Sequence, residues 1–184
     1  MAGTFGRYEE LPLDKMSGEQ RAGYDYLVEE RGKMIGPYRV WMHNPKLLRA
    51  ASHLGAHFTP DSSSLTERER EIAVIAIVSN LRSDYPTAAH EKRGKEIGLG
   101  DATVEAMVAG QRVSFADEKE QLVYEVAISL ANNRIISDGL YHRAVRGLGH
   151  ERITDTIVLM AYYTGVSMTM NFYAVPAGTP GLQR

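Results

Sequence analysis

The chain has 184 residues, 43% of them hydrophobic and 24% charged, with 21 basic against 23 acidic residues. That is the size and composition of one globular domain, and it excludes a disordered chain and a strongly basic polyanion binder. There is no cysteine, which excludes disulfides, thiolate metal sites, iron–sulfur clusters and every thiol redox mechanism.

The N-terminal stretch MAGTFGRYEELPLDKM lacks the apolar run of a secretory signal and carries acids where a transit peptide avoids them, so a cytoplasmic protein is expected. Ser17 followed by Gln20 is a capping box that opens a helix to about Lys33, closed by Gly36-Pro37. Asn44-Pro45 starts the next helix, with Leu47, Leu48, Ala51, Leu54 and Phe58 on one face. TPDSSS is a connector. Thr66 and Glu69 form a second capping box, and the helix they open is apolar on all sides from Ile72 to Val78, so it must be buried all round. Tyr85-Pro86 restarts a helix to Ile97, stopped by Gly98-Leu99-Gly100, and Asp101 caps a short one to Ala109. Three more are expected over about 117–133, 137 or 138–147, and 150–173. The tail AVPAGTPGLQR is rich in Pro and Gly and is expected to wrap the surface or a partner.

No run alternates in the manner of a strand, and no internal repeat is evident. The expected fold is all-α, with seven or eight helices around a central helical hairpin. It forms a single domain in three parts: a helical arm over 1–60, a core over 61–176 and a tail over 177–184. The uncharged stretch from Thr156 to Pro176 has the length of a membrane span, but Thr156, Thr164, Ser167, Thr169 and Asn171 dilute it, so a buried core helix is expected instead. LTEREREIAVIAIVSN is similar to the opening of the helix-turn-helix of LuxR-type response regulators. The similarity ends where DNA would be touched, because the candidate recognition segment ATVEAMVAGQ is almost uncharged. No nucleic-acid partner is expected.

Two residues converge. Glu71 lies in line with Ile75 and Val78 on the buried face of its helix, and His90 lies in line with Pro86, Gly94 and Ile97 on the next. Folded back around residues 81 to 85, the hairpin sets Glu71 opposite a point near residue 94, within about one turn of His90. Burial disfavours the imidazolium and an ionised Glu71 favours it, so the pair suits general acid–base work. The alternative is a structural hydrogen bond between two helices, which the residues alone favour. Arg39, beside Trp41, His43 and Asn44, is a candidate anchor for a substrate carboxylate at the pocket mouth. Tyr85 is a candidate phenol near His90. His53 and His57 have the i, i+4 spacing of a metal pair, but no third ligand follows in order, and no metal is expected.

Glu71, Ser83, Pro86 and His90 have the spacing of the Glu…Cys-x-x-Cys-x-x-x-His motif of alkylhydroperoxidase D-like proteins, the carboxymuconolactone decarboxylase superfamily. The resemblance extends through LTEREREIAV, GKEIGLGDATVEAMVAG and YYTGVSMTMNFYAVP, and through GPYRVWMHNPKL near the N-terminus. Ser83 and Pro86 stand at the two cysteine positions, so the peroxidase chemistry of that superfamily cannot operate here. The decarboxylase branch needs no thiol. The resemblance therefore implies a cofactor-independent lyase or isomerase that decarboxylates or isomerises a small carboxylated or lactone-like substrate, as in aromatic compound catabolism. His90 and Glu71 would be catalytic, and Ser83 joins Arg39, Trp41 and Tyr85 among the substrate-binding candidates. The resemblance also implies a homo-oligomer, a trimer or hexamer. The alternative is a catalytically silent oligomeric ligand-binding protein of the same fold, which a sealed Glu71–His90 contact would favour and a cavity at His90 would oppose.

Overall fold

Reciprocal capping boxes start two of the helices of a computed structural model that describes residues 4–179. In each box the Ser17 or Thr66 hydroxyl accepts from the backbone three residues on, and the Gln20 or Glu69 side chain accepts from the cap backbone. Eight α-helices are present among the described residues: α1 Gly18–Arg31, α2 Tyr38–Trp41, α3 Pro45–His57, α4 Glu67–Asn80, α5 Asp84–Glu96, α6 Asp101–Val108, α7 Glu118–Ala131 and α8 Asp138–Phe172. The fold is all-α. The single β-type pairing among those residues is an isolated bridge between Phe5 and Tyr8. Residues 180–184 of the tail and residues 1–3 lie outside the described residues.

The centre is α4. Every residue from Ile72 to Val78 is buried, because α5, α7 and α8 pack around it on different sides. Each fully buried Ile or Val side chain contributes about 1.5–3 kcal/mol of transfer free energy. Val104 and Met107 of α6, Val123 and Ala127 of α7, and Leu159 and Met160 of α8 complete this core. A second cluster, Tyr24, Leu27, Val28, Met34, Tyr38, Met42 and Leu48, joins α1, α2 and α3. A third joins Phe5 and Tyr8 to Val166, Met170 and Val175, so the start of the tail packs on the N-terminal segment.

Three features depart from expectation. The short helix α2 has no side-chain cap and no periodic face to announce it. On α3 the buried side chains are Leu48 and Ser52, while Leu47 and Leu54 are exposed. The contact with α1 lies about 100° around the helix from the expected stripe. Glu69 is buried because it closes its capping box and also pairs with Arg152 of α8. The two C-terminal helices run on as α8, interrupted at Gly149, whose φ of 74° and ψ of 165° break the helix. Among the described residues no helix is long and apolar enough to cross a membrane.

Candidate active site

Glu71 stands one turn into α4, among side chains that are all buried, and His90 stands midway along α5. What brings them together is the close approach of the two helices one turn further on. A Cβ placed on Gly94 would lie 3.0 Å from Ile75 and 3.2 Å from Val104, so only a residue without a side chain lets α5 settle this deeply. His90 Nδ1 then lies 2.7 Å from Glu71 Oε2, with the two side chains 17% and 12% exposed. The Tyr163 ring of α8 meets the imidazole edge-on, with centroids 4.8 Å apart at 89°. Among the described residues His90 Nε2 makes no hydrogen bond.

His90 lines a cavity of about 340 Å³, formed from α1, α3, α4, α5, α8 and the residues around α2. Its size is that of a small-molecule site. Phe58, Val74, Pro86, Leu159 and Val166 supply apolar wall; Tyr38, Tyr85, Tyr162 and Tyr163 supply phenols; Arg31, Arg70 and Glu71 supply charge. Burial pushes the Tyr85, Tyr162 and Tyr163 hydroxyls above their ordinary value, with the Glu71 charge adding to the effect at Tyr163 and Tyr38 at Tyr162. The phenols therefore stay protonated and act as donors at neutral pH. Tyr162 and Tyr38 are 2.7 Å apart, hydroxyl to hydroxyl. Arg31 donates to the Ser52 hydroxyl and carbonyl and lies over the Tyr38 ring.

The structure distributes the other sequence candidates differently. Tyr85 does line the cavity. Arg39 does not: it is 2% exposed, pairs with Glu10 at 3.0 Å and lies 4.6 Å over the Phe5 ring. The N-terminal segment folds over it and takes its charge. Ser83 is fully buried, with its hydroxyl donating weakly to the Ser167 carbonyl at 3.4 Å, so it too is away from the cavity. Trp41 donates from its indole to the Thr169 hydroxyl and packs behind the lining, against Tyr38 and Tyr162. His57 bonds to Asp155 and His53 to Tyr26, and no group of three metal-ligating side chains occurs among the described residues.

Sequence reasoning missed Arg31, Arg70, Tyr162 and Tyr163. Arg70 had a signal, since it precedes Val74 by one turn on a helix buried on all sides, where a charge requires a purpose. The tyrosines had none beyond their place in an uncharged helix. A larger depression, about 650 Å³, opens elsewhere around α7 and includes Arg112, Arg134 and Arg143. It holds no carboxylate–imidazole pair, and its Arg143 is taken by Glu125.

No family model matches this chain, and no curated protein matches it. Solved structures do. It is similar to an uncharacterized peroxidase-related protein from Silicibacter sp. TM1040, with a TM-score of 0.72 and 17% identity over 90% of this chain and 88% of that one. A second, from Ralstonia eutropha JMP134, described as an alkylhydroperoxidase AhpD core, has a TM-score of 0.70 and 15% identity over the same shares. The debrominase Bmp8, solved as a cysteine-to-alanine variant with 2,3,4-tribromopyrrole, has a TM-score of 0.65 and 14% identity, again over 90% and 88%.

Proposed function

We propose, from the premise that this chain has the alkylhydroperoxidase D-like fold without its cysteine pair, that the cavity at His90 is the active site of a proton-transfer enzyme. Its substrate is a small carboxylated or lactone-like molecule, which it decarboxylates or isomerises. The observation that carries this reading is the division of labour on one imidazole that lines the cavity: Nδ1 is held by Glu71 at 2.7 Å, while Nε2 has no partner among the described residues. An imidazole sealed on both nitrogens would have favoured a silent binding protein.

With Glu71 ionised, Nδ1–H donates to its carboxylate and Nε2 carries the lone pair. In an isomerisation Nε2 takes a proton from a carbon beside an unsaturated bond, the electron pair shifts along the conjugated system, and the imidazolium returns the proton to a different carbon. In a decarboxylation Nε2 first takes a proton from water, the carbon–carboxylate bond then breaks with its electron pair left on carbon, carbon dioxide leaves, and the imidazolium gives that proton to the carbanion that remains. In both, Glu71 stabilises the imidazolium while it lasts, and the protonated tyrosines donate to oxygen on the substrate. The same fold accommodates a small planar ring in the debrominase complex, which supports a substrate of that size. The protein is further proposed to be a cytoplasmic homo-oligomer, a trimer or hexamer.

The test follows loss of a carboxylated lactone, and of β,γ-unsaturated acids, by ultraviolet absorbance after chelator treatment. His90→Ala is expected to lower turnover by about 10²–10⁴ with the fold and oligomer intact. Equal rates in the two proteins would remove His90 from the mechanism, and activity lost only on chelation would show a metal requirement.

A further inference from the structure

Arg70 poses a question that the proton relay leaves unanswered. It is 9% exposed, its Nη1 is buried with no hydrogen-bond partner, and it pairs with no carboxylate among the described residues. An arginine keeps its charge at any physiological pH, and burying that charge without a partner is strongly unfavourable. The other arginines that line or flank the site are accounted for: Arg31 is bonded to Ser52 and Arg39 pairs with Glu10. The neighbouring Glu71 is engaged with His90. Arg70 therefore lines the cavity with a guanidinium that no carboxylate among the described residues neutralises.

We infer that Arg70 is the anchor for a substrate carboxylate, and that the cavity takes a compact monocarboxylate with an unsaturated or aromatic body. This rests on the reading of the cavity as the substrate site. Three observations set the class. A guanidinium recognises a planar oxyanion through paired N–H donors. The charged side chains of the lining, Arg31, Arg70 and Glu71, sum to +1 with His90 neutral, which matches one carboxylate rather than two. The remaining wall is phenyl and aliphatic, from Phe58, Val74, Leu159 and the tyrosines, and suits a flat apolar body. Arg70, Glu71 and His90 line the same cavity, so a carboxylate held by Arg70 sits within reach of the relay.

Trp41, the chain's single tryptophan, lies edge-on to Tyr38 and Tyr162 of the lining, at 5.6 and 6.1 Å, and its emission reports on occupancy. The experiment titrates the full chain with benzoate and with benzamide, which has the same shape without the charge. Wild type is expected to bind benzoate at least about tenfold more tightly than benzamide. Arg70→Met should abolish that preference with helical content unchanged by circular dichroism, and Arg70→Lys should keep part of it, having charge but no fork. If Arg70→Met fails to fold, the wild-type ratio and Arg70→Lys decide. Equal affinities for the two probes, binding of neither, or benzoate affinity unchanged in folded Arg70→Met overturns the inference. Benzoate held through Arg70 by a protein that turns over no acid or lactone would sink the proton-transfer reading and leave this inference standing. His90-dependent turnover with no effect of Arg70 on benzoate would do the reverse.

Discussion

Asp155 and Glu71 are two buried carboxylates put to different uses. Asp155 on α8 accepts from His57, from the Ser63 hydroxyl and from both the backbone and hydroxyl of Ser64. Its acceptors are used up in tying the connector before α4 to the last helix. Glu71 has one partner, His90, and that partner lines the cavity. Burial by itself raises the Asp155 carboxyl, but the hydrogen bonds from His57, Ser64 and Ser63 outweigh it and hold the group below its ordinary value of 3.8. A carboxyl depressed in the folded state contributes stability that is complete above the ordinary carboxylate range and is lost as pH falls through the depressed value. Asp155→Asn is therefore expected to cost about 1–3 kcal/mol at pH 7. The difference from wild type should close as the pH is taken well below 3.8, followed by urea unfolding at each pH. A difference that stays constant into strong acid would show that the ionised form is not what matters.

At the scale of elements, the register of α5 against α4 decides whether a relay exists. Gly94 is its contact point, with the side chains of Ile75, Val104 and Leu99 at 3.0 to 3.3 Å from where a Cβ would stand. Gly94→Val forces α5 outward. It is expected to cost about 1–3 kcal/mol from overpacking, seen as a lowered midpoint of thermal unfolding, and to reduce His90-dependent turnover more than a distant substitution of equal cost. Unchanged stability would mean that the helices are not held at this point. Gly149 acts on α8 differently. No atom crowds it, so its role is conformational: a φ of 74° with a ψ of 165°, a combination essentially confined to glycine, lets the chain break helix without a loop and sets the direction of the segment bearing Tyr162 and Tyr163.

Across the whole molecule, apolar side chains remain uncovered on two faces. Ile157, Met168 and Phe172 form a stripe along α8, 45%, 63% and 74% exposed, and Leu47 and Leu54 form another on α3. The α8 stripe borders a groove that includes Ile77, Leu81 and Leu130, continuous with the core. Surface of this kind marks association, which supports the proposed homo-oligomer. Light scattering at micromolar concentration is expected to give three or six times the 20.4 kDa chain mass, and Ile157→Glu with Met168→Glu should reduce it. A monomer mass for wild type would refute the assembly.

Where a feature depends on neighbours in sequence, the residues by themselves determined it. The capping boxes at Ser17 and Thr66 need only a hydroxyl and an acceptor three residues on, and an apolar run such as Ile72–Val78 has no stable place except inside. The facing of Glu71 and His90 followed from the same local logic, because a short turn leaves two helices little choice but to return side by side. Tertiary structure alone decided what each charge meets. Arg39 has the local look of a ligand anchor, yet Glu10 and Phe5, some thirty residues earlier, close over it. Arg68 and Arg70 sit two residues apart in one motif; the first reaches Glu120 of α7 and the second lines the cavity. The reason is physical: helix periodicity sets the direction in which a side chain leaves its own helix, but a salt bridge or a binding wall is made by the element that arrives from elsewhere, and no local pattern encodes that arrival.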